Sequence, residues 1–133
     1  MLTLKTNPIE YLIAGDPQTP VSTLERLAHS TNPAVRSRVA ENQATPVNVL
    51  SKLLKDANAD VRIALSYNKI LPNHFLVQLA ADQNPDVRFS IAENFDASCL
   101  ILETLENDEN PYVAHRAKQT LEAACLELYA LAA

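Results

Sequence analysis

Residues 20–45 read PVSTLERLAHSTNPAVRSRVAENQAT, and three further segments of 26 residues repeat their pattern without a gap. These segments read PVNVLSKLLKDANADVRIALSYNKIL (46–71), PNHFLVQLAADQNPDVRFSIAENFDA (72–97) and SCLILETLENDENPYVAHRAKQTLEA (98–123). Two leucines, an asparagine and a valine recur in every copy: Leu24, Leu50, Leu76, Leu102; Leu27, Leu53, Leu79, Leu105; Asn32, Asn58, Asn84, Asn110; Val35, Val61, Val87, Val113. A fixed period of this length is typical of a solenoid, in which each repeat buries its apolar side against the next.

The register extends to the N-terminal side of the four copies. Residues 7–19 continue it as half a repeat, with Ile9 in the valine row and Asp16 in a row of asparagines. The 133 residues fit one domain, so residues 1–133 are predicted to form a single repeat domain of about four and a half repeats.

Each repeat is predicted to form two short helices. In the second copy the first helix begins at Pro46, whose missing N–H costs nothing in a first turn, and the hydroxyl of Thr45 is expected to cap the free amides. Leu50 and Leu53 then lie on one face of that helix. The second helix begins after Asn58, a strong N-cap residue, and is about two turns long, so it is either an α-helix or a 3₁₀ segment.

A row of asparagines, Asn42, Asn68 and Asn94, follows the second helices. Asparagine tolerates the left-handed backbone conformation that ends many helices, whereas glycine, the usual residue there, occurs once in the chain, at Gly15. We therefore predict left-handed turns at these asparagines, with hydrogen bonds from their side-chain amides to a neighbouring coil as the alternative. Both interpretations make the row part of the scaffold.

The motif Asn-Pro-x-Val-Arg at residues 32–36 and 84–88, its variant at 58–62, and Thr-Pro-x-x-x-Leu-x-x-Leu at 45–53 resemble the leucine-rich repeat variant family of bacteria. The resemblance covers residues 7 to about 120. It implies an all-α fold, a right-handed solenoid related to HEAT and armadillo repeats, in which α-helices alternate with short 3₁₀ or α segments. The period is slightly longer here than is usual in the family, which favours fuller second helices.

Some members of this family carry a cysteine-ligated iron–sulfur cluster before the repeats. The first cysteine of this chain is Cys99, inside the fourth copy, so no cluster is expected. The family implies no agreed biochemical function, and its name therefore informs the fold only.

Composition excludes several classes of protein. A single glycine excludes the glycine-rich loops that bind phosphate. Two cysteines are too few for a secreted disulfide framework. The start MLTLKTNPIE lacks the pattern of a signal peptide. No stretch approaches the roughly 18 consecutive apolar residues of a membrane span. We therefore expect a cytoplasmic protein that is not integral to a membrane.

The net charge of −5 is uneven, at +2 over the first 80 residues and −7 over the rest. An acidic balance argues against a general nucleic-acid-binding function and mildly favours a partner with a basic face. A basic stripe pairs Arg26 with Lys52 and His29 with Lys55 on adjacent first helices, but it lacks interleaved aromatic residues, so it is a poor footprint for nucleic acid.

No motif for catalysis, metal binding or cofactor binding is present. The three histidines fall in different rows of the repeat: His29, His74 and His115. Cys99 falls in the row of Val21 and Val47, which we interpret as inward-facing, so Cys99 is expected to be a small buried core residue, as is Cys125 on the last helix. We predict that the protein is not an enzyme and that it holds neither a metal nor a cofactor.

Arg36, Arg62 and Arg88 form a row with one guanidinium per repeat, about 10 Å apart. Such a row either holds acidic groups of a partner through bidentate contacts or clamps adjacent coils through acidic residues such as Glu41 and Glu93. We favour the clamp, because partly buried arginines need partners.

The repeats disagree one position after the arginine row, where Ser37, Ile63, Phe89 and His115 stand. Ile63 and Phe89 are predicted to lie side by side on adjacent coils, with Val77 as a neighbour in some superhelix geometries. They form either a partner-binding patch or part of the core, depending on how tightly the second helix is wound. The candidate partner-binding residues are Ile63, Phe89, Val77 and His115, together with Arg36, Arg62 and Arg88.

The fourth copy departs from the pattern, with Ser98, Ala114 and Thr120 in place of proline, arginine and asparagine. The last helix need not stop there and is predicted to run from about Pro111 to Leu131. It is expected either to cap the exposed end of the core or to pair with a second copy of the chain as a homodimer. The apolar stripe for either role is Leu121, Ala124, Cys125, Leu128 and Leu131.

Because repeat solenoids mostly bind other proteins, we predict a non-enzymatic protein–protein interaction module or scaffold. The alternative is an accessory subunit or maturation factor for an enzyme or pigment complex. Copurification with a defined client distinguishes the two.

Overall fold

The computed structural model describes residues 7–133, and within them the chain is all-α. Residues 1–6, and with them most of the segment considered for a signal peptide, lie outside the described residues. Nine helices occur in the described part, beginning about every 13 residues: α1 (Pro8–Gly15), α2 (Val21–Leu27), α3 (Pro33–Glu41), α4 (Val47–Leu53), α5 (Ala59–Leu65), α6 (Asn73–Ala80), α7 (Pro85–Ala92), α8 (Cys99–Leu105) and α9 (Pro111–Ala132).

The asparagine that precedes each second helix is its N-cap, as predicted. The Oδ1 atom of Asn58 accepts a hydrogen bond from the amide of Asp60 at 2.8 Å, and Asn84 caps Asp86 in the same way. Prolines at the first helical position of α3, α7 and α9 leave no amide there to satisfy. These two features fix where each second helix begins.

The second helices are α-helices and not 3₁₀ segments. They span nine residues in α3, seven in α5 and eight in α7, so they are as long as the first helices beside them. The fuller second helices that the period favoured are therefore confirmed.

The recurring leucines and valines form the core. The leucines lie on the first helices and the valines on the second, and all of them are buried. Each first helix packs against the second helix of its own repeat, and helices two apart in the chain pack as well, in the pairs α1–α3, α3–α5, α6–α8 and α7–α9. This pattern of neighbours is that of a repeat solenoid.

Packing divides the chain into two compact units, of which the first ends at Leu71 and the second begins at Pro72. This boundary coincides with a boundary between repeats. The assignment of residues 1–133 to a single domain stays a prediction.

The single glycine accommodates a neighbouring arginine side chain. Gly15 ends α1 with an ordinary negative φ, and a Cβ atom there would collide with the guanidinium of Arg38. That guanidinium lies 5.1 Å from the centre of the Tyr11 ring and 3.0 Å from a carboxylate oxygen of Glu41. Glycine thus lets Arg38 lie against the end of α1.

Candidate functional site

The asparagine row joins consecutive coils of the first unit. The Nδ2 atom of Asn42 donates to the backbone oxygens of Ala14 and Asp16, both at 2.8 Å. One repeat later, Nδ2 of Asn68 donates to the oxygens of Ala40 and Asn42 at 2.8 and 3.1 Å. Both side chains are buried, so these bonds replace water for carbonyl groups at the ends of α1 and α3.

The prediction of left-handed turns at these asparagines is wrong, and the alternative of bonds between coils is confirmed in the first unit. Asn42 has φ −72° and ψ 120°, and none of the described residues other than glycine has a positive φ. Its Oδ1 atom accepts from the amide of Ala44 at 2.9 Å, and Asn68 and Asn94 make equivalent turns. Because the side chain closes the turn, the backbone can stay extended.

Thr45 also acts differently from the prediction. Helix α4 begins at Val47, with Pro46 as an N-cap residue that has no side-chain bond. The Thr45 hydroxyl instead donates to the carbonyl oxygen of Val39 at 2.7 Å, which ties the loop to the end of α3.

Two arginines of the row, Arg36 and Arg88, each clamp adjacent repeats together through a loop that lies within a repeat. The guanidinium of Arg36 makes a bidentate pair with Asp56 in the next repeat, at 2.7 and 3.0 Å, and donates to the backbone oxygen of Ser30 at 2.7 Å. Arg88 repeats this arrangement in the second unit, with Asp108 at 2.7 and 3.0 Å. Arg62 donates to the backbone oxygen of Asp56 at 2.7 Å.

The clamp interpretation is therefore confirmed for Arg36 and Arg88, but the partners suggested for it are wrong. Glu41 pairs with Arg38 at 3.0 Å, and Glu93 lies 4.0 Å from Arg116. The sequence did contain a signal for the true partners of Arg36 and Arg88, because the residue 20 positions after each of them is an aspartate, Asp56 and Asp108.

These ion pairs lower the pKa of both aspartates. Burial raises the pKa of Asp56, but hydrogen bonds from Arg36 and from the amide of Asn58 outweigh it. At Asp108 the hydrogen bond from Arg88 is the largest influence, and it lowers the pKa despite burial. Both carboxylates are thus stabilised in the charged form by groups of the chain itself.

The candidate partner-binding residues occupy different surroundings. Ile63 on α5 and Phe89 on α7 are half-buried, while Val77 on α6 and His115 on α9 are exposed. Ile63 belongs to the first unit and the other three to the second. The contact expected between Ile63 and Phe89 stays a prediction.

The row of Val21, Val47 and Cys99 does not face the core, so the prediction for this row is wrong. All three residues are exposed, and Cys125 is half-buried. Each of the three is the first residue of its helix. The leucines that follow in the same helix face the core, and this first position does not.

An apolar edge is the feature that the sequence analysis missed. Between α1 and α9, seven large apolar side chains are exposed, and six of them lie within the loops from second to first helices or in the first turn that follows. We call the four of them in the first unit the apolar edge: Val21, Val47, Tyr67 and Ile70. Phe95 and Leu100 occupy the corresponding loop and first turn of the second unit.

The asparagine bonds place the loops of the apolar edge against one another in the first unit. Asn42 joins its loop to the loop after α1, and Asn68 joins the next loop to that of Asn42. Val21 and Val47 occupy equivalent positions on these stacked loops. The edge is therefore held rigidly by buried hydrogen bonds.

A second surface of the first unit is polar. Arg26, His29 and Lys52 line a shallow cleft between α2 and α4, together with Glu25, and Arg26 also lies 3.4 Å from Glu10 on α1. Three of the four residues of the basic stripe thus line one cleft, with carboxylates beside them.

In the described part of the chain, no three His, Cys, Asp or Glu side chains cluster in a way that could hold a metal ion. None of the helices in residues 7–133 combines the length and apolar character needed to cross a membrane. In comparisons with known proteins, no family model matches the chain, and neither a curated protein nor a solved structure matches it.

Proposed function

We propose that the chain is a non-enzymatic protein-binding module and that the apolar edge makes the contact. The observation that carries this proposal is the concentration of exposed apolar side chains on one set of loops. Contiguous exposed apolar surface is typical of a site that another protein covers.

The chemistry of the two sets of loops supports this assignment. On the loops within repeats, the guanidinium groups of Arg36 and Arg88 are held by carboxylates of the chain. On the loops between repeats, the polar groups of Asn42 and Asn68 bond to backbone, so that apolar side chains face solvent. A rigid apolar edge of this kind loses little conformational entropy on binding.

Two valines of nearly equal exposure test the proposal. Val47 lies on the edge and is 47% exposed, and Val77 lies on the outer side of α6 and is 50% exposed. Val47→Asp places a carboxylate at the first position of α4, where the helix dipole favours it, so the fold is retained. The experiment compares the proteins captured by wild-type, Val47→Asp and Val77→Asp chains from a lysate of the source cells, after cross-linking and mass spectrometry.

We expect Val47→Asp to lose the captured partner and Val77→Asp to keep it. The reverse result would assign the contact to the surface around Val77, and capture that is unaffected by either change would remove the apolar edge as the contact. The identity of the captured protein also separates a general scaffold from an accessory subunit or maturation factor.

We further propose that the chain is a divergent member of the leucine-rich repeat variant family. The support comes from the motif itself, since its asparagine caps the second helix and its arginine joins repeats in both Asn-Pro-x-Val-Arg segments. The right-handed superhelix and the cytoplasmic location stay predictions.

A further inference from the structure

The 26-residue register continues into the second half of α9. Residues 125–131 read CLELYAL, and residues 99–105, one period earlier, read CLILETL and form the first helix α8. Leu128 and Leu131 therefore continue the two leucine rows of the first helices. By its sequence, this part of α9 is the first helix of a further repeat.

The two leucines lack the cover that their rows have elsewhere. In the four copies the leucines of both rows are between 0% and 6% exposed, whereas Leu128 is 60% exposed and Leu131 is 86% exposed. Each first helix of those copies packs against the second helix of its own repeat. Among the described residues, no second helix follows α9, so the core-facing side of residues 125–131 has no partner.

Helix α1 has the opposite deficit. It stands in the register of the second helices, with Ile9 in the row of Val35 and Ile13 in the row of Val39. Both valines are 0% exposed, but Ile9 is 63% exposed and Ile13 is 36% exposed. Over residues 7–133 no first helix precedes α1. Helix α1 is thus a second helix whose core face is open.

Helix α2 is open where the same absent helix would lie. Its Thr23 is half-buried, whereas Val49 and Ile101 of the same row are 2% and 5% exposed. Each of these two residues has a first helix one repeat earlier in its own unit, and Thr23 has none in the described part of the chain. One additional first helix at this end would therefore cover both α1 and α2.

We propose that residues 125–131 of one copy pack against α1 of another copy, so that the two half-repeats complete one repeat. The two exposed leucines of α9 then take the positions that Leu24 and Leu27 hold on α2, which packs against α3. Their partners are Ile9 and Ile13, in the positions of the buried valines of α3. This contact joins two different surfaces, so copies associate head to tail.

A charge on the donated segment favours another copy over the chain's own α8. Glu127 stands in the row of Val49, which lines a cleft with Glu25 of the preceding first helix. If residues 125–131 folded back beside α8, Glu127 would enter this buried row next to Glu103, the equivalent of Glu25. Two carboxylates there repel each other and lose water. Beside α1, where the described chain has no earlier first helix, the row faces water and Glu127 stays solvated.

The first experiment measures association of the full chain by sedimentation velocity from about 5 to 500 µM, because a contact of one helix is small and its dissociation constant is expected to be on the order of tens of micromolar. We expect wild type to associate and both Ile9→Glu and Leu128→Glu to stay monomeric, with unchanged helicity by circular dichroism. Leu126→Glu is the control. Leu126 is 70% exposed, and its row is exposed in all four copies, so this variant should associate as wild type does.

The second experiment mixes the two monomeric variants. Ile9→Glu keeps the donated segment, and Leu128→Glu keeps the receiving face, so an equimolar mixture should form a dimer and no larger species. Contact between two α9 helices would instead leave Ile9→Glu able to associate alone, and contact between two α1 helices would leave Leu128→Glu able to do so. Either result overturns the proposal, as does a mixture that stays monomeric or a wild type that is monomeric throughout the range.

Head-to-tail association does not depend on the apolar edge, and Val47→Asp separates the two proposals. This variant should associate as wild type does. If it abolishes association and Leu128→Glu does not, the second copy occupies the apolar edge and the head-to-tail contact is wrong. A Leu128→Glu monomer that still captures the partner protein supports both proposals as independent.

Discussion

Asn68→Ala removes three hydrogen bonds between a buried side chain and the backbone. The amide of Asn68 donates to the backbone oxygens of Ala40 and Asn42, and its Oδ1 atom accepts from the amide of Ile70 at 3.0 Å. Alanine replaces none of them. Since Asn68 is only 4% exposed, water has little access to the carbonyl group of Ala40, which loses its donor, whereas the carbonyl of Asn42 keeps the amide of Thr45.

The expected loss of stability follows from those three bonds. A hydrogen bond contributes about 1 kcal/mol net, and a buried group left without a partner costs about 1 to 3 kcal/mol. We expect Asn68→Ala to lower the free energy of unfolding by about 3 kcal/mol in total. For a chain of this length the melting temperature then falls by roughly 10 °C.

The assay is thermal unfolding followed by circular dichroism, together with urea unfolding to obtain the free energy. Asn48→Ala is the control, because Asn48 is exposed on α4, and its melting temperature is expected to change by less than about 2 °C. Asn68→Gly is the decisive variant. Glycine would suit a left-handed turn, so a glycine variant as stable as wild type refutes the role given to the side-chain bonds between coils.

The ion pairs and the exposed cysteine give three further predictions. Arg88→Ala is expected to destabilise the fold by about 3 kcal/mol, because it leaves Asp108, whose side chain is only 7% exposed, without its ion-pair partner. Arg26→Ala, at an exposed ion pair, is the control and should cost less than about 1 kcal/mol. Urea unfolding measures both. Because the pKa of Asp108 is lower in the folded chain than its unfolded value of about 3.9, the charged carboxylate stabilises the fold above pH 3.9. This stabilisation is lost as the pH falls through the folded pKa. Asp108→Asn should therefore make urea midpoints less dependent on pH below about 4. Cys99 should react with Ellman's reagent without denaturant, at a rate within about tenfold of a free thiol, because it is exposed; a rate that rises only on unfolding would restore the buried assignment.

Periodicity predicted the fold because it identifies equivalent residues. Leucines and valines that recur with one period share one environment in a solenoid, and all of them are buried. The N-caps followed from local chemistry alone, since asparagine and then proline suit the first residues of a helix wherever the chain places them. The bounds of α9, Pro111–Ala132, followed from the loss of the stop signals in the fourth copy.

Periodicity did not show which way a row faces. A helix of seven residues, such as α4, makes about two turns, and in so short a helix the pattern of Val47, Leu50 and Leu53 is compatible with more than one buried stripe. The row of Val47 was therefore predicted to face the core, although it lies at the exposed start of the helix. The hydrogen bonds from the side chain of Asn68 to the preceding coil depend on the distance between coils. The sequence of one repeat does not specify that distance.

Under the proposed function, the rows that recur in the sequence and the residues that form the apolar edge serve different purposes. Asparagine and arginine form the bonds that join repeats within the first unit, and the bonds of Asn42 and Arg36 leave little of these side chains for a partner. The edge residues vary: Tyr67 stands where Glu41 and Glu93 stand in the neighbouring copies. A scaffold requires equivalent joints, whereas recognition of one partner requires differences between copies. The specificity of binding should therefore reside in the positions that the repeat does not conserve within this chain.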